Sequence, residues 1–195
     1  MDKFGLAQDF TAKWEDGLSD DAADKGGLTH WGVSYAFLVD FARDAGNRQF
    51  LSGLGVKPLP VTHATIRNLD TQQARAIFKR EFRAPLHLDD MPVQMGVLLY
   101  DAAVNSGRGQ SVKLAQRGYN ACVGYGTKLA VDGILGPLTR AALTKSNYRP
   151  LRQNICTARE NFYKEIVRNR PNQSCFLDGW LNRVADLREY VEGLE

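Results

Sequence analysis

The amino-acid sequence predicts an all-α protein. Apolar residues recur at helical spacing in several segments, and no segment shows the sustained alternation expected of a β domain. In the first of these segments, Phe4, Ala7, Phe10 and Trp14 predict a helix of about three turns. With 195 residues, the chain is long enough for one well-buried core. We expect one compact protein with two lobes.

Start and stop signals place the later helices. Asp70 and Gln73 form a capping-box pattern that begins a helix ending near Arg83. Pro92 fits the first turn of a helix that runs to Ser106 and stops at a glycine. Further helices are predicted at about 33–43, 112–123, 137–143, 148–168 and 176–194, with a connector at 53–60 and a hairpin or irregular loop at 18–32.

The composition is typical of a globular protein and does not favour a nucleic-acid-binding or membrane-spanning protein. Hydrophobic residues make up 44% and charged residues 24%, values that are ordinary for a soluble globular protein. The formal net charge of +3 is spread along the chain, whereas a nucleic-acid interface usually has a clustered basic stripe. A mild positive bias suits an anionic polymer such as a cell wall. No run approaches the ~20 apolar residues of a membrane span.

Cys122, Cys156 and Cys175 are odd in number and widely spaced. This pattern favours buried free thiols over one disulfide plus one free thiol. No histidine cluster accompanies the cysteines, so we expect no metal site and no cofactor.

The stretch from Trp14 to Gly32 carries the main catalytic candidate. Glu15 follows the first apolar-patterned segment and precedes a loop rich in Asp and Gly. A carboxyl group against an apolar wall at a helix C-terminus has a raised pKa, because desolvation and the helix dipole both disfavour its charged form. A general acid that works near neutral pH requires such a pKa. The alternative for Glu15 alone is a solvated acid at a helix end.

Several motifs in one order resemble a known family. The stretch F-T-A-K-W-E-D-G-L-S-D-D-A-A-D-K-G-G-L-T-H-W-G-V is similar to the N-terminal signature of glycoside hydrolase family 108, lysozyme-like N-acetylmuramidases common among phage endolysins. D-A-A-V-N-S-G, V-D-G-I-L-G-P-L-T and G-W-L-N-R-V follow in the expected order. The resemblance implies a lysozyme-like helical fold with a catalytic lobe at 1–107 and a helical peptidoglycan-binding lobe at 108–195.

The resemblance also assigns catalytic residues. The family's glutamate falls on Glu15, although its E-G-G-Y motif reads E-D-G-L here. In the wider lysozyme superfamily an Asp and a Thr follow across a hairpin, and these places fall on Asp24 and Thr29. The resemblance implies hydrolysis of the β-1,4 bond between N-acetylmuramic acid and N-acetylglucosamine. Glu15 is the acid, Asp24 a base or an electrostatic stabiliser, and Thr29 positions water; alternatively, Asp24 is a turn residue bonded to its own backbone.

Five residues are candidates for binding the substrate. His30 and Trp31 belong to the loop, and Asp101 and Asn105 lie four residues apart beside an apolar stripe, where polar groups need partners or solvent. Asn105 is a candidate for binding an N-acetyl group. Asp132 begins the turn where we expect peptidoglycan contact; the alternative is a turn that only supports the fold.

The expected partner is cell-wall peptidoglycan, with no nucleic acid, no membrane insertion and a monomeric state. We expect synthesis in the cytosol without a signal peptide, followed by holin-type release or export by a secretion system. Two alternatives remain open: a non-catalytic wall-binding or secretion-related protein on the same fold, and a lytic transglycosylase, which uses one glutamate and yields anhydro-sugar ends.

Overall fold

The computed structural model describes residues 2–15, 18–19, 27–124, 126–146 and 148–194, and for 18–19 the backbone alone. Helices dominate these residues, which confirms the all-α prediction. The elements in chain order are α1 (Lys3–Ala12), β1 (Leu18–Ser19), β2 (Thr29–His30), β3 (Val33–Ser34), α2 (Tyr35–Phe41), α3 (Ala45–Gly53), α4 (His63–Arg67), α5 (Thr71–Phe78), a π-helical turn (Lys79–Arg83), α6 (Val93–Ser106), α7 (Arg108–Cys122), α8 (Pro137–Lys145), α9 (Arg149–Asn169), a 3₁₀ turn (Pro171–Phe176) and α10 (Leu177–Glu192).

By packing, the chain divides into two compact units. The larger unit contains Met1–Thr11 and Phe82–Glu195, and the smaller unit contains Ala12–Glu81. These bounds differ from the lobes expected at 1–107 and 108–195. The division into a catalytic lobe and a peptidoglycan-binding lobe stays a prediction.

The smaller unit combines a short antiparallel sheet with helices α2 to α5. The sheet has the order β1-β2-β3, with Leu18 opposite His30 and His30 opposite Val33. Side-chain caps begin each helix, as in α5, where Asp70 and Gln73 form the predicted capping box. The core is apolar and includes Leu28, Val33, Leu38, Phe41, Leu51, Ile66, Ile77 and Phe78.

In the larger unit, α6 is the central helix. Buried residues lie all around it, including Met95, Val97, Leu98, Leu99 and Tyr100, as expected for a helix inside a core. Helices α7 and α9 pack closely where a Cβ on Gly118 would lie 2.8 Å from the Ile155 backbone nitrogen. Glycine is therefore required at this crossing.

One buried carboxylate joins four helices of the larger unit. Asp101 on α6 is 0% exposed. Its Oδ2 lies 2.5 Å from Arg159 Nη1 on α9, and its Oδ1 lies 2.7 Å from Arg183 Nη2 on α10. The Thr11 hydroxyl on α1 donates to Oδ1 at 2.9 Å. Burial alone raises the pKa of Asp101, but the charges and hydrogen bonds of Arg183 and Arg159 outweigh it and hold the pKa well below its ordinary value.

The expectation of three free thiols is confirmed, but the expectation that all are buried is wrong. Cys156 is buried, Cys122 is half-buried and Cys175 is exposed. Burial raises the pKa of the Cys156 thiol to about 11, which makes it a poor nucleophile at neutral pH. Across the part of the chain that the structure describes, no helix is both long enough and apolar enough to span a bilayer.

The Asp101 ion pairs predict a large and pH-dependent loss of stability in Asp101→Asn. We expect the free energy of unfolding at pH 7 to fall by about 3–5 kcal/mol, because both arginines then lack their buried counter-charge. The folded-state pKa of Asp101 is lowered, so its contribution is present above its ordinary value of 3.8 and is lost as the pH falls further. Urea unfolding at pH 7 and at lower pH measures both effects.

Asp40→Asn is the matched control, because Asp40 forms an exposed ion pair with Arg43. We expect it to change the free energy of unfolding by no more than about 0.5 kcal/mol. Equal losses in the two variants, or a loss for Asp101→Asn that does not shrink in acid, would contradict the assigned role.

Candidate functional site

Glu15 lies just beyond the C-terminus of α1. The helix ends at Ala12, earlier than the apolar pattern through Trp14 predicts. A turn follows, in which the Glu15 amide donates to the Ala12 carbonyl at 3.3 Å. The Glu15 side chain is half-buried, so it combines apolar contact with access to a ligand.

Trp31 and Gly32 form the two-residue turn of the β2–β3 hairpin. Both have positive φ angles, 52° and 76°, as a type I′ turn requires at its two central positions. Positive φ is unfavourable for a bulky residue such as tryptophan. Trp31 is held there by a hydrogen bond from its indole nitrogen to the Leu69 carbonyl at 3.1 Å and by stacking on His30 with 4.9 Å between ring centroids.

Glu15 contacts this turn directly. A Cβ built on Gly32 would lie 2.9 Å from the Glu15 Cβ and 3.3 Å from its Cγ. The same position would lie 3.3 Å from the Cζ atom of Phe78. The methylene groups of Glu15 therefore pack where only a glycine leaves room, beside an aromatic ring. Glu15 and Phe78 thus both border the position of the missing Cβ, and the apolar wall expected beside the carboxyl group stays a prediction.

The neighbouring strand carries two more predicted site residues. The Thr29 hydroxyl donates to the Gly27 carbonyl at 3.0 Å, and its oxygen keeps lone pairs that can accept a hydrogen bond from water. Nδ1 of His30 lies 3.2 Å from the Ile66 carbonyl; since a carbonyl only accepts, Nδ1 carries the proton. In the neutral ring Nε2 is then an acceptor. The predicted partner Asp24 lies outside the described residues.

Asp101 and Asn105 have different environments although both lie on α6. Asp101 is enclosed by its ion pairs, so the structure gives it a stabilising role. Its predicted contact with substrate stays untested, and full burial does not favour it. Asn105 is half-buried, and its Oδ1 accepts hydrogen bonds from Tyr163 at 2.6 Å and from Ser106 at 2.9 Å.

The sequence analysis missed Tyr163 and Arg159. Arg159 Nε donates to the Tyr163 hydroxyl at 2.7 Å, and Tyr163 also stacks on Trp180 with 5.1 Å between centroids. Trp180 in turn stacks on Phe176, so this tryptophan belongs to an aromatic cluster with Tyr163 and Phe176. Both missed residues belong to α9, which has the polar composition of an ordinary amphipathic helix, so no local signal marks them.

Asp132 belongs to a turn that is held by Gln116 of α7, a buried residue. The Gln116 amide donates to Asp132 Oδ1 at 2.8 Å, and its Oε1 accepts from the Gly133 amide at 3.0 Å. Hydrogen bonds from the Ile134 amide and Gln116 lower the pKa of Asp132. The turn borders a groove of about 470 Å³ whose lining includes Lys128, Leu129, Ile134, Leu138 and Lys145.

Ile134 and Leu138 are unusually exposed for apolar side chains, at 65% and 80%. Exposed apolar residues at a groove are typical of a contact surface. No cluster of three or more metal-ligating side chains occurs within the described ranges, which omit 16–17 and 20–26.

The contact between Gly32 and Glu15 predicts unequal effects of two alanine substitutions. Gly27 and Gly32 both have positive φ, but a Cβ on Gly27 would meet no atom of the described residues within 4 Å. We expect Gly27→Ala to cost about 1–2 kcal/mol of backbone strain. Gly32→Ala should cost about 1–3 kcal/mol more, because its methyl group collides with Glu15. Urea unfolding of both variants measures the difference, and equal losses would refute the close approach.

Comparisons with known proteins show the fold and the family that the chain shares with others. Eleven chains of solved structures match the chain. One of them, titled "Structure of Brucella abortus SagA", is 23% identical, with a TM-score of 0.72 over 97% of this chain and 93% of that chain. At this identity the likeness shows a shared fold. No curated protein matches the chain.

Two family models match successive parts of the sequence. Residues 110–185 match the model described as "Predicted Peptidoglycan domain", and residues 8–107 match the model described as "Glycosyl hydrolase 108". The second match covers just over half of the chain and includes Glu15, Gly32 and Asn105. The family resemblance seen in the sequence is confirmed, and so is the lysozyme-like fold that this resemblance implied. The chain belongs to glycoside hydrolase family 108.

Proposed function

We propose that this glycoside hydrolase is an N-acetylmuramidase that cleaves the β-1,4 bond between N-acetylmuramic acid and N-acetylglucosamine in peptidoglycan. The observation that carries the proposal is the packing of the Glu15 methylene groups against Gly32 of the β2–β3 turn, at a position that the Phe78 ring also borders. The turn belongs to the same family motif as the glutamate. An apolar wall favours the protonated carboxyl group that a general acid needs.

Glu15 donates its proton to the glycosidic oxygen as the bond from that oxygen to the anomeric carbon breaks. The electron pair of this bond leaves with the oxygen, and an oxocarbenium-like centre develops. Asp24 accepts a proton from water, whose oxygen attacks the anomeric carbon from the opposite face. Thr29 positions this water, because its hydroxyl proton is engaged by the Gly27 carbonyl and its oxygen is available as an acceptor.

The product of this sequence has an inverted anomeric configuration. An inverting enzyme separates its carboxyl groups by ~6.5–9.5 Å, which leaves room for the water, whereas a nucleophile in a retaining enzyme lies at ~5–5.5 Å. The role proposed for Asp24 rests on the resemblance to the wider lysozyme superfamily.

The groove beside Asp132 is proposed to hold the wall polymer. Its turn is held rigid by Gln116, so little ordering is required when a ligand binds. Lys128 and Lys145 line the groove together with apolar residues, a combination suited to a polymer with carboxylates and methyl groups.

Glu15→Gln tests the acid. We expect release of reducing ends from purified peptidoglycan to fall by about 10²- to 10⁴-fold, because the amide of glutamine is too weak an acid to protonate the leaving oxygen. The helical circular dichroism should be retained. Glu165→Gln is the control, since Glu165 forms an exposed ion pair with Arg168, and it should keep full activity.

The fragments released by the wild type separate the alternatives. Reducing muramic-acid ends support a muramidase, whereas anhydro ends, lighter by one water, identify a lytic transglycosylase. A wild type that sediments with the wall and releases nothing is a non-catalytic binder, and equal activity of wild type and Glu15→Gln refutes the role of Glu15.

Asp24→Asn tests the base. We expect kcat to fall by about 10²- to 10⁴-fold, because an amide does not take a proton from water, while KM changes little. The anomer formed first by the wild type, followed by proton NMR, should be the inverted one. Asp40→Asn, an exposed acid on α2, is the control. Full activity of Asp24→Asn would remove Asp24 from the mechanism.

A further inference from the structure

We propose that Asn105 binds the acetamido carbonyl of a wall amino sugar and that Arg159 and Tyr163 are positioning residues that hold it as a donor. The proposal rests on the proposed function, because it concerns recognition of the same polymer. It is carried by a continuous chain of hydrogen bonds from Asp101 in the core to the half-buried carboxamide of Asn105.

The chemistry of Arg159 and Tyr163 determines which atom donates and which atom accepts in each of these hydrogen bonds. Arg159 has only donors, so its Nε proton must go to the Tyr163 oxygen, 2.7 Å away. Tyr163 has one hydroxyl proton, and its remaining partner is Asn105 at 2.6 Å. The Asn105 atom facing Tyr163 must therefore be the carbonyl oxygen. This removes the usual ambiguity between the oxygen and nitrogen of an amide.

The carbonyl oxygen of Asn105 is fully used within the protein. Ser106 donates a second hydrogen bond to it at 2.9 Å, and an amide oxygen has two lone pairs. The carboxamide nitrogen, by contrast, has no hydrogen-bond acceptor among the described residues. Asn105 therefore offers donors alone, and its ligand must supply an acceptor.

The charge of Arg159 strengthens this donor. Arg159 is 2% exposed, and although burial opposes its charged form, Asp101 raises its pKa, so the guanidinium stays protonated. A hydrogen bond from a cation polarises Tyr163, which in turn polarises the Asn105 amide, since linked hydrogen bonds reinforce one another. A neutral carbonyl is the matching acceptor for a neutral amide donor. Both sugars of the proposed substrate carry one in their acetamido groups.

The test compares two forms of one polymer. Binding is measured in the Glu15→Gln background to purified peptidoglycan and to the same material after removal of the N-acetyl groups. We expect Asn105→Asp to weaken binding to the acetylated polymer by roughly 3- to 10-fold, the value of one hydrogen bond. The variant keeps acceptors for Tyr163 and Ser106 but replaces the donor nitrogen with oxygen. On the deacetylated polymer it should bind no more weakly than Glu15→Gln alone.

Asn182→Asp is the matched control, because Asn182 is exposed on α10 of the same unit and the substitution adds the same charge. It should bind both polymers as its parent does. Tyr163→Phe should weaken binding to the acetylated form alone, since a general loss of structure would affect both forms. With Glu15 intact, Tyr163→Phe should raise KM more than it lowers kcat.

The binding test of Asn105 can succeed or fail independently of the proposed muramidase activity. If the wild type cleaves nothing, a loss specific to the acetylated polymer in Asn105→Asp still supports the amide site. Equal losses on both polymers, the same behaviour as Asn182→Asp, or no preference of the parent for the acetylated form would each overturn it.

Discussion

The larger unit depends on the neutralisation of one buried carboxylate. Asp101 is removed from water completely, and a buried charge without a partner costs several kcal/mol after relaxation. Arg159 and Arg183 supply two positive charges within hydrogen-bond distance of it. The partners come from α9 and α10, far along the chain from α6. The packing of these helices is therefore specified by charge and geometry as well as by apolar area.

This interaction crosses the boundary between the two family matches. Asp101 lies within the match at 8–107, whereas both arginines lie within the match at 110–185. A chain that ended at residue 107 would lack both counter-charges of Asp101. The close contact of Gly118 with Ile155 belongs entirely to the second match. The two matched regions therefore share a core in the larger unit, even though their sequences are recognised separately.

Local signals in the sequence predicted most helices of the fold. Pro92 and Gly107 bound α6 as expected, and the capping box at Asp70 begins α5. Helix α3 was missed, because Gly46 in its first turn resembles a stop signal, whereas Asp44 caps the helix just before it. The sheet was predicted only as a hairpin or loop. Its strands are two residues long, too short for alternation to be visible, and the turn uses Trp-Gly where Asn-Gly is the usual signal.

The candidate site shows where prediction from sequence stops. The motif around Glu15 predicted that this residue is the acid, but the contact of Glu15 with Gly32 depends on a turn that periodicity does not reveal. In the sequence, Asp101 and Asn105 are both polar residues beside an apolar stripe. Their spacing along the helix does not show whether the side chain faces water or an arginine from a distant part of the chain.

Arg159 is the reason why Asp101 and Asn105 have different environments, and it also connects the two residues. One of its nitrogens binds the Asp101 carboxylate, and another donates to Tyr163, whose hydroxyl holds the Asn105 amide. The charge that stabilises the core thus also orients a polar group at the end of α6. Because one guanidinium contacts both Asp101 and Tyr163, the stability of this unit and the recognition proposed for Asn105 depend on a single hydrogen-bonded network.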